Sequence, residues 1–106
     1  LLWSRTYGGP SFERARAIVE TPDNDFIVAG YTSSYGQGDK DVWLVKIDPD
    51  GNRIWSQTFG GPSCDEAYAM TALSGGGFAV AGNTASWGTG GVDGWVFKLL
   101  DLTEGN

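Results

Sequence analysis

Apolar positions along the chain come in short runs, each broken by a cluster of Gly, Pro, Ser, Asp or Asn. Arg14–Thr21 places small Ala15 and Ala17 on one face, and Pro22-Asp23-Asn24-Asp25 follows as a turn cluster. Phe26–Thr32 reads as a second strand and Val42–Ile47 as a third, with a Gly-rich loop from Ser33 to Lys40 between them. Val42-Trp43-Leu44-Val45 is apolar on both faces, which predicts a strand covered from both sides. Asp50-Gly51 is a hairpin signal leading into a fourth strand, Arg53–Phe59. No segment sustains a 3.6-residue period, so the pattern predicts an all-β protein without helices.

The pattern then repeats. Displaced by 52 positions, Trp3-Ser4-Arg5-Thr6-Tyr7-Gly8-Gly9-Pro10-Ser11 falls on Trp55-Ser56-Gln57-Thr58-Phe59-Gly60-Gly61-Pro62-Ser63. Phe26-Ile27-Val28-Ala29-Gly30 meets Phe78-Ala79-Val80-Ala81-Gly82, and Asp41-Val42-Trp43 meets Asp93-Gly94-Trp95. Twenty of 52 ungapped pairs are identical, which establishes a duplication. A repeated four-stranded unit of this length is expected of β-propeller blades. The Ala-x-Ala strand suits the crowded position next to a propeller axis; a β-sandwich made by duplication is the competing architecture.

The pattern W-S-x-T-[YF]-G-G-P-S, F-x-V-A-G-x-T-x-S-x-G-x-G, D-x-W-x-x-K and D-G-N resembles the tandem β-propeller repeats of archaeal and bacterial secreted and surface proteins. The resemblance covers both copies. It implies an extracellular or cell-surface location and a structural or binding role. That family has no general catalytic constellation, and its usual long arrays contrast with the two copies here.

The phase of the copies adds an expectation. Residues 1–52 form a first repeat that opens on a fourth strand, Leu1–Tyr7, belonging to a preceding blade. Residues 53–106 form a second repeat with its own fourth strand missing, and Gly105-Asn106 corresponds to Gly51-Asn52. Two blades alone would expose apolar faces and an open strand edge. The phase therefore predicts head-to-tail self-association, with Leu1, Leu2, Trp3, Arg5 and Tyr7 forming an assembly strand that completes a neighbour's last sheet. Three chains would close a six-bladed ring and four an eight-bladed one; a step that does not close gives a filament. A piece of a longer propeller, or an engineered propeller, would share this phase. The chain starts without Met and shows no leader pattern, consistent with processing or excision from something longer.

Composition narrows the chemistry. The net charge of −6 speaks against nucleic acid or an anionic membrane as partner, and no apolar run is long enough for a membrane helix. Hydrophobic residues at 41% and aromatics at 13% suffice for a core. Cys64 is the only cysteine and corresponds to Phe12, so it reads as a small hydrophobe rather than a reactive thiol. With no histidine the commonest general base is absent, and nothing singles out a carboxylate pair; the chain reads as non-catalytic, without cofactor or metal. Gly36-Gln37-Gly38-Asp39-Lys40-Asp41 lacks the third glycine and the following helix of a phosphate loop. Asp48-Pro49-Asp50-Gly51-Asn52 has calcium-loop spacing but a misplaced glycine, and reads as a hairpin turn.

Four carboxylates recur at loop ends. Asp41 and Asp93 are placed to bind backbone N–H groups of the Gly-rich loop, and Glu13 and Asp65 to tie the Gly-Gly-Pro-Ser turn to a neighbouring strand. Tyr35 and Trp87 occupy equivalent positions, and with Tyr7, Phe12 and Phe59 they are candidates for an aromatic loop face. Such a face would stack on carbohydrate or on a protein partner, which is the alternative to self-assembly as the main function.

Overall fold

A computed structural model describes residues 2–36, 39–74, 76–86 and 91–100. These hold seven strands and no helix: β1 (Glu13–Glu20), β2 (Phe26–Thr32), β3 (Asp41–Ile47), β4 (Arg53–Phe59), β5 (Asp65–Ala72), β6 (Phe78–Thr84) and β7 (Asp93–Leu99). They form two antiparallel meanders, a four-stranded sheet in the order β1-β2-β3-β4 and a three-stranded sheet in the order β5-β6-β7. The first sheet comes from the first copy plus the opening strand of the second. The boundary between sheets therefore lies inside the second copy, at Gly60-Gly61-Pro62-Ser63.

The two sheets share register. Val28 pairs with Val45 and Gly30 with Trp43 in the first, and Val80 pairs with Phe97 and Gly82 with Trp95 in the second. Both inner strands carry a bulge at the same place, between Ala15 and Ala17 and between Ala67 and Ala69. The bulge explains the glycine of the F-x-V-A-G run. A Cβ at Gly30 would overlap the Arg14 carbonyl, and one at Gly82 the Glu66 carbonyl, so only glycine lets the bulged strand approach. The β1–β2 turn has Asn24 at φ 70°, and the β5–β6 turn has Gly76 at φ 99° in the corresponding position. Both residue types tolerate the left-handed region, so the turns are alike although their sequences differ.

The sheets are stacked, and the stacking is one-way. Side chains alternate along each strand, giving each sheet a front and a back. The front of the first sheet carries Ile27, Ala29, Val42 and Leu44, all fully buried. Against it packs the back of the second sheet, with buried Phe78 and Val80 and half-buried Trp95, Phe97 and Leu99. Phe59 of β4 closes one side of this core, its ring 5.4 Å from that of Phe97. The equivalent back of the first sheet (Phe26, Trp43, Val45 and Ile47) lies on the other side of the molecule as a second apolar cluster, partly covered by Tyr7.

The sequence pattern predicts that the first copy opens on a strand, but residues 2–7 form none. The physical reason is the lack of a neighbour: a strand needs an edge to pair with, and among the described residues no sheet edge runs beside this segment. It lies instead over the back of the first sheet, lining a hollow with Val28, Trp43 and Val45. Trp3 Nε1 donates to the Pro49 carbonyl at 2.8 Å, Arg5 bonds Asn52, and the Tyr7 hydroxyl donates to the Gly51 carbonyl. Tyr7 thereby stands to the back of the first sheet as Phe59 stands to the back of the second.

Candidate functional site

At the loop end of each sheet a carboxylate gathers the Gly-Gly-Pro-Ser turn. Asp65, fully buried, accepts from the Gly61 N–H at 3.0 Å, from the Ser86 hydroxyl at 2.9 Å and from the Thr84 hydroxyl. Glu13 accepts from the Gly9 N–H at 3.1 Å and the Thr32 hydroxyl at 2.8 Å. The turn is further joined to the loop after the second strand by Ser11 N–H to Ser34 and Ser63 N–H to Ser86. Desolvation raises the Glu13 pKa, but hydrogen bonds from Ser34, Gly9 and Thr32 outweigh it and leave the carboxyl below its ordinary value. These groups arrange donors around oxygen atoms, which is how a loop is held closed.

Asp41 is buried at the start of β3, against Gly36. Its carboxylate and that of Asp65 both border Gly60, where a Cβ would come within 2.7 Å of Asp41 Oδ1 and 2.6 Å of Asp65 Oδ2. Asp93 is half-buried at the start of β7. Among the described residues no three acidic or thiol groups converge as metal ligands do.

Of the described aromatic candidates, Tyr7 and Tyr35 line one hollow beside Trp43, while Phe59 and Phe12 lie elsewhere. Phe59 is between the sheets and Tyr7 on the back of the first sheet. Tyr35 is 46% exposed, and its hydroxyl donates to the Gly8 carbonyl at 3.3 Å, bracing the Gly-Gly-Pro-Ser turn. Phe12 is exposed, and its carbonyl accepts from the Ser33 N–H. Trp87 lies outside the described residues, as does Leu1 of the assembly strand. Leu2 and Trp3 are exposed, and Trp3 caps the hairpin at Gly51, whose φ is +86°.

Two features that sequence reasoning did not single out stand on the sheet faces. Among the described residues nothing covers the front of the second sheet. Ala69, Thr71, Ala79, Ala81 and Val96 line a shallow apolar depression there, and Val96 is 73% exposed. In the first sheet the corresponding Ala17, Val19, Ile27, Ala29 and Leu44 are covered by the second sheet. Lys46 is fully buried, its ammonium 3.1 Å from Asp23 and 3.8 Å from Asp25. The equivalent Lys98 is exposed, and Gly75 and Gly77 stand in the second copy where the first has both carboxylates.

One polar cluster bridges the stacked sheets. Arg16 Nη1 lies 2.5 Å from Glu66 Oε1, Lys40 Nζ is 3.6 Å from Glu66 Oε2, and the Arg16 guanidinium sits 4.1 Å from the Tyr68 ring centroid. A backbone bond from the Asp65 N–H to the Lys40 carbonyl, 2.7 Å long, accompanies it. No protein-family model and no curated protein sequence matches the chain.

Proposed function

We propose that the chain is a non-catalytic structural repeat unit that stacks head-to-tail on copies of itself, continuing its own sheet-on-sheet step as the blades of a β-propeller. One observation carries this reading: the back of the second sheet covers the front of the first, and no described residue covers the chemically similar front of the second sheet. The only back face of matching type left among the described residues is that of the first sheet, so the natural occupant is a second copy. A heterologous contact of this kind propagates, closing as a ring of three or four chains or running on as a filament.

Strand complementation completes the contact. β7 pairs with β6 on one side, and no described residue pairs with its other edge. In the first sheet the equivalent edge is taken by β4, with Leu44 opposite Gln57 and Lys46 opposite Trp55. Displaced by one repeat, that register sets Val96 opposite Arg5 and Lys98 opposite Trp3 of the next copy. Trp3–Tyr7 already lies on the back of its own first sheet, where Tyr7 meets the back cluster as Phe59 meets Phe97 of the second. It then needs only the other three strands, which a neighbour supplies.

The sequence resemblance to secreted and surface propeller repeats fits this use outside a prokaryotic cell. Light scattering on the purified chain tests the reading. Discrete trimers or tetramers, or concentration-dependent filaments, are expected; a monodisperse monomer from micromolar to millimolar concentration would overturn it.

A further inference from the structure

We infer that Tyr68 and Arg14 are the specificity pair of the contact between copies, a cation–π counterpart of the Arg16–Glu66 ion pair inside each chain. The inference rests on the head-to-tail reading. It follows from applying the observed step once more. Within the chain, residue 16 of one sheet meets residues 66 and 68 of the next. In the repeat, Tyr68 is the equivalent of Arg16, and Arg14 is the equivalent of Glu66. A next copy in the same relation brings its Arg14 to Tyr68.

Both groups are in a state to pair. Tyr68 is 47% exposed even with Arg16 against its ring. Arg14 is exposed. The same step aligns the Glu13 N–H of the incoming copy with the Val92 carbonyl, repeating the Asp65–Lys40 backbone bond; Val92 is 68% exposed. A guanidinium over a tyrosine ring is attractive without any carboxylate.

The exchange of residue types also selects between arrangements. If the back of a second copy's first sheet displaced the second sheet from the front of the first, Arg14 would meet Arg16. Like charges at that spacing repel, so the incorrect exchange is disfavoured. The internal contact is coded by Arg16 against Glu66 and Tyr68, the external one by Tyr68 against Arg14, and the exchange that sets Arg14 against Arg16 is repulsive.

A charge-exchange cycle tests this, read by sedimentation equilibrium, with circular dichroism and thermal unfolding of dilute protein confirming each fold. Arg14→Glu and Tyr68→Arg should each weaken association about tenfold. Combining the two substitutions sets a guanidinium at position 68 against a carboxylate at position 14 of the next copy. That reproduces the internal ion pair and should return association to within about threefold of the parent. Tyr68→Phe, which keeps the ring, should stay within about threefold. Losses that simply multiply in the double variant, or an Arg14→Glu chain that associates like the parent, would overturn the pair and leave head-to-tail assembly standing. A parent chain that never associates would overturn both.

Discussion

Gly30 and Gly82 show how a single missing methyl group shapes this protein. Each lets the bulged inner strand lie against its neighbour, where a side chain would strike the carbonyl of Arg14 or Glu66. Gly30→Ala should therefore destabilise the fold by about 1–3 kcal/mol in denaturant titration, the ordinary cost of overpacking. Asp65 is a second such position, since its two oxygens accept from Gly61, Thr84 and Ser86. Asp65→Asn turns one acceptor into a donor facing a donor and should cost about 1–3 kcal/mol, read in the same titration. Glu13, Asp23 and Asp48 all have carboxyl pKa values held below their ordinary range. For Asp23 the Thr21 hydroxyl is the main cause, followed by Lys46 against opposing desolvation; for Asp48 it is the Asn52 backbone N–H. A depressed carboxylate stabilises the fold above its unfolded value of about 4. That contribution disappears as pH falls through the lower folded value, so thermal stability should drop below about pH 4 and hold level above pH 5.

At the scale of elements, the sheet-on-sheet core is the main source of stability. Phe78 is fully buried between the sheets, and Phe78→Ala should cost about 3–5 kcal/mol, measured by chemical unfolding. Much of this core is legible in the sequence. The apolar runs and turn clusters predict the strands to within a residue, and β1 begins at Glu13 rather than Arg14. The duplication predicts two sheets with one register. Three things are not legible. Period-2 patterning shows that both faces of β3 are apolar, but not which face meets the second sheet. Residues 2–7 have the composition of β4, yet composition cannot supply the neighbouring edge that makes a strand. The Arg16–Glu66–Tyr68 cluster joins residues 50 apart on different sheets, and the bulges that bring them together leave only glycine as a trace in the sequence. The loop carboxylates are visible because they recur; their partners Thr32, Ser34, Thr84 and Ser86 recur with them.

At the scale of the whole molecule, the two sheets define a direction. The front of the first sheet is covered and that of the second is left open by the described residues, so a charged substitution there should separate assembly from folding. Val96→Lys should change the stability of the dilute chain by less than about 0.5 kcal/mol, because the residue is 73% exposed. The same change should prevent association, since it would place an ammonium in an apolar contact. The most direct measurement is a cysteine cross-link between Arg5→Cys and Val96→Cys in a Cys64→Ser background. In one chain these positions lie on opposite outer faces of the stack, about two sheet spacings apart and beyond disulfide reach. In the proposed register they are strand partners at about 5 Å. Mild oxidation should yield covalent multimers from the double variant and, when the two single variants are mixed, a heterodimer. A double variant that stays monomeric on oxidation, at concentrations where the parent associates, would contradict the account.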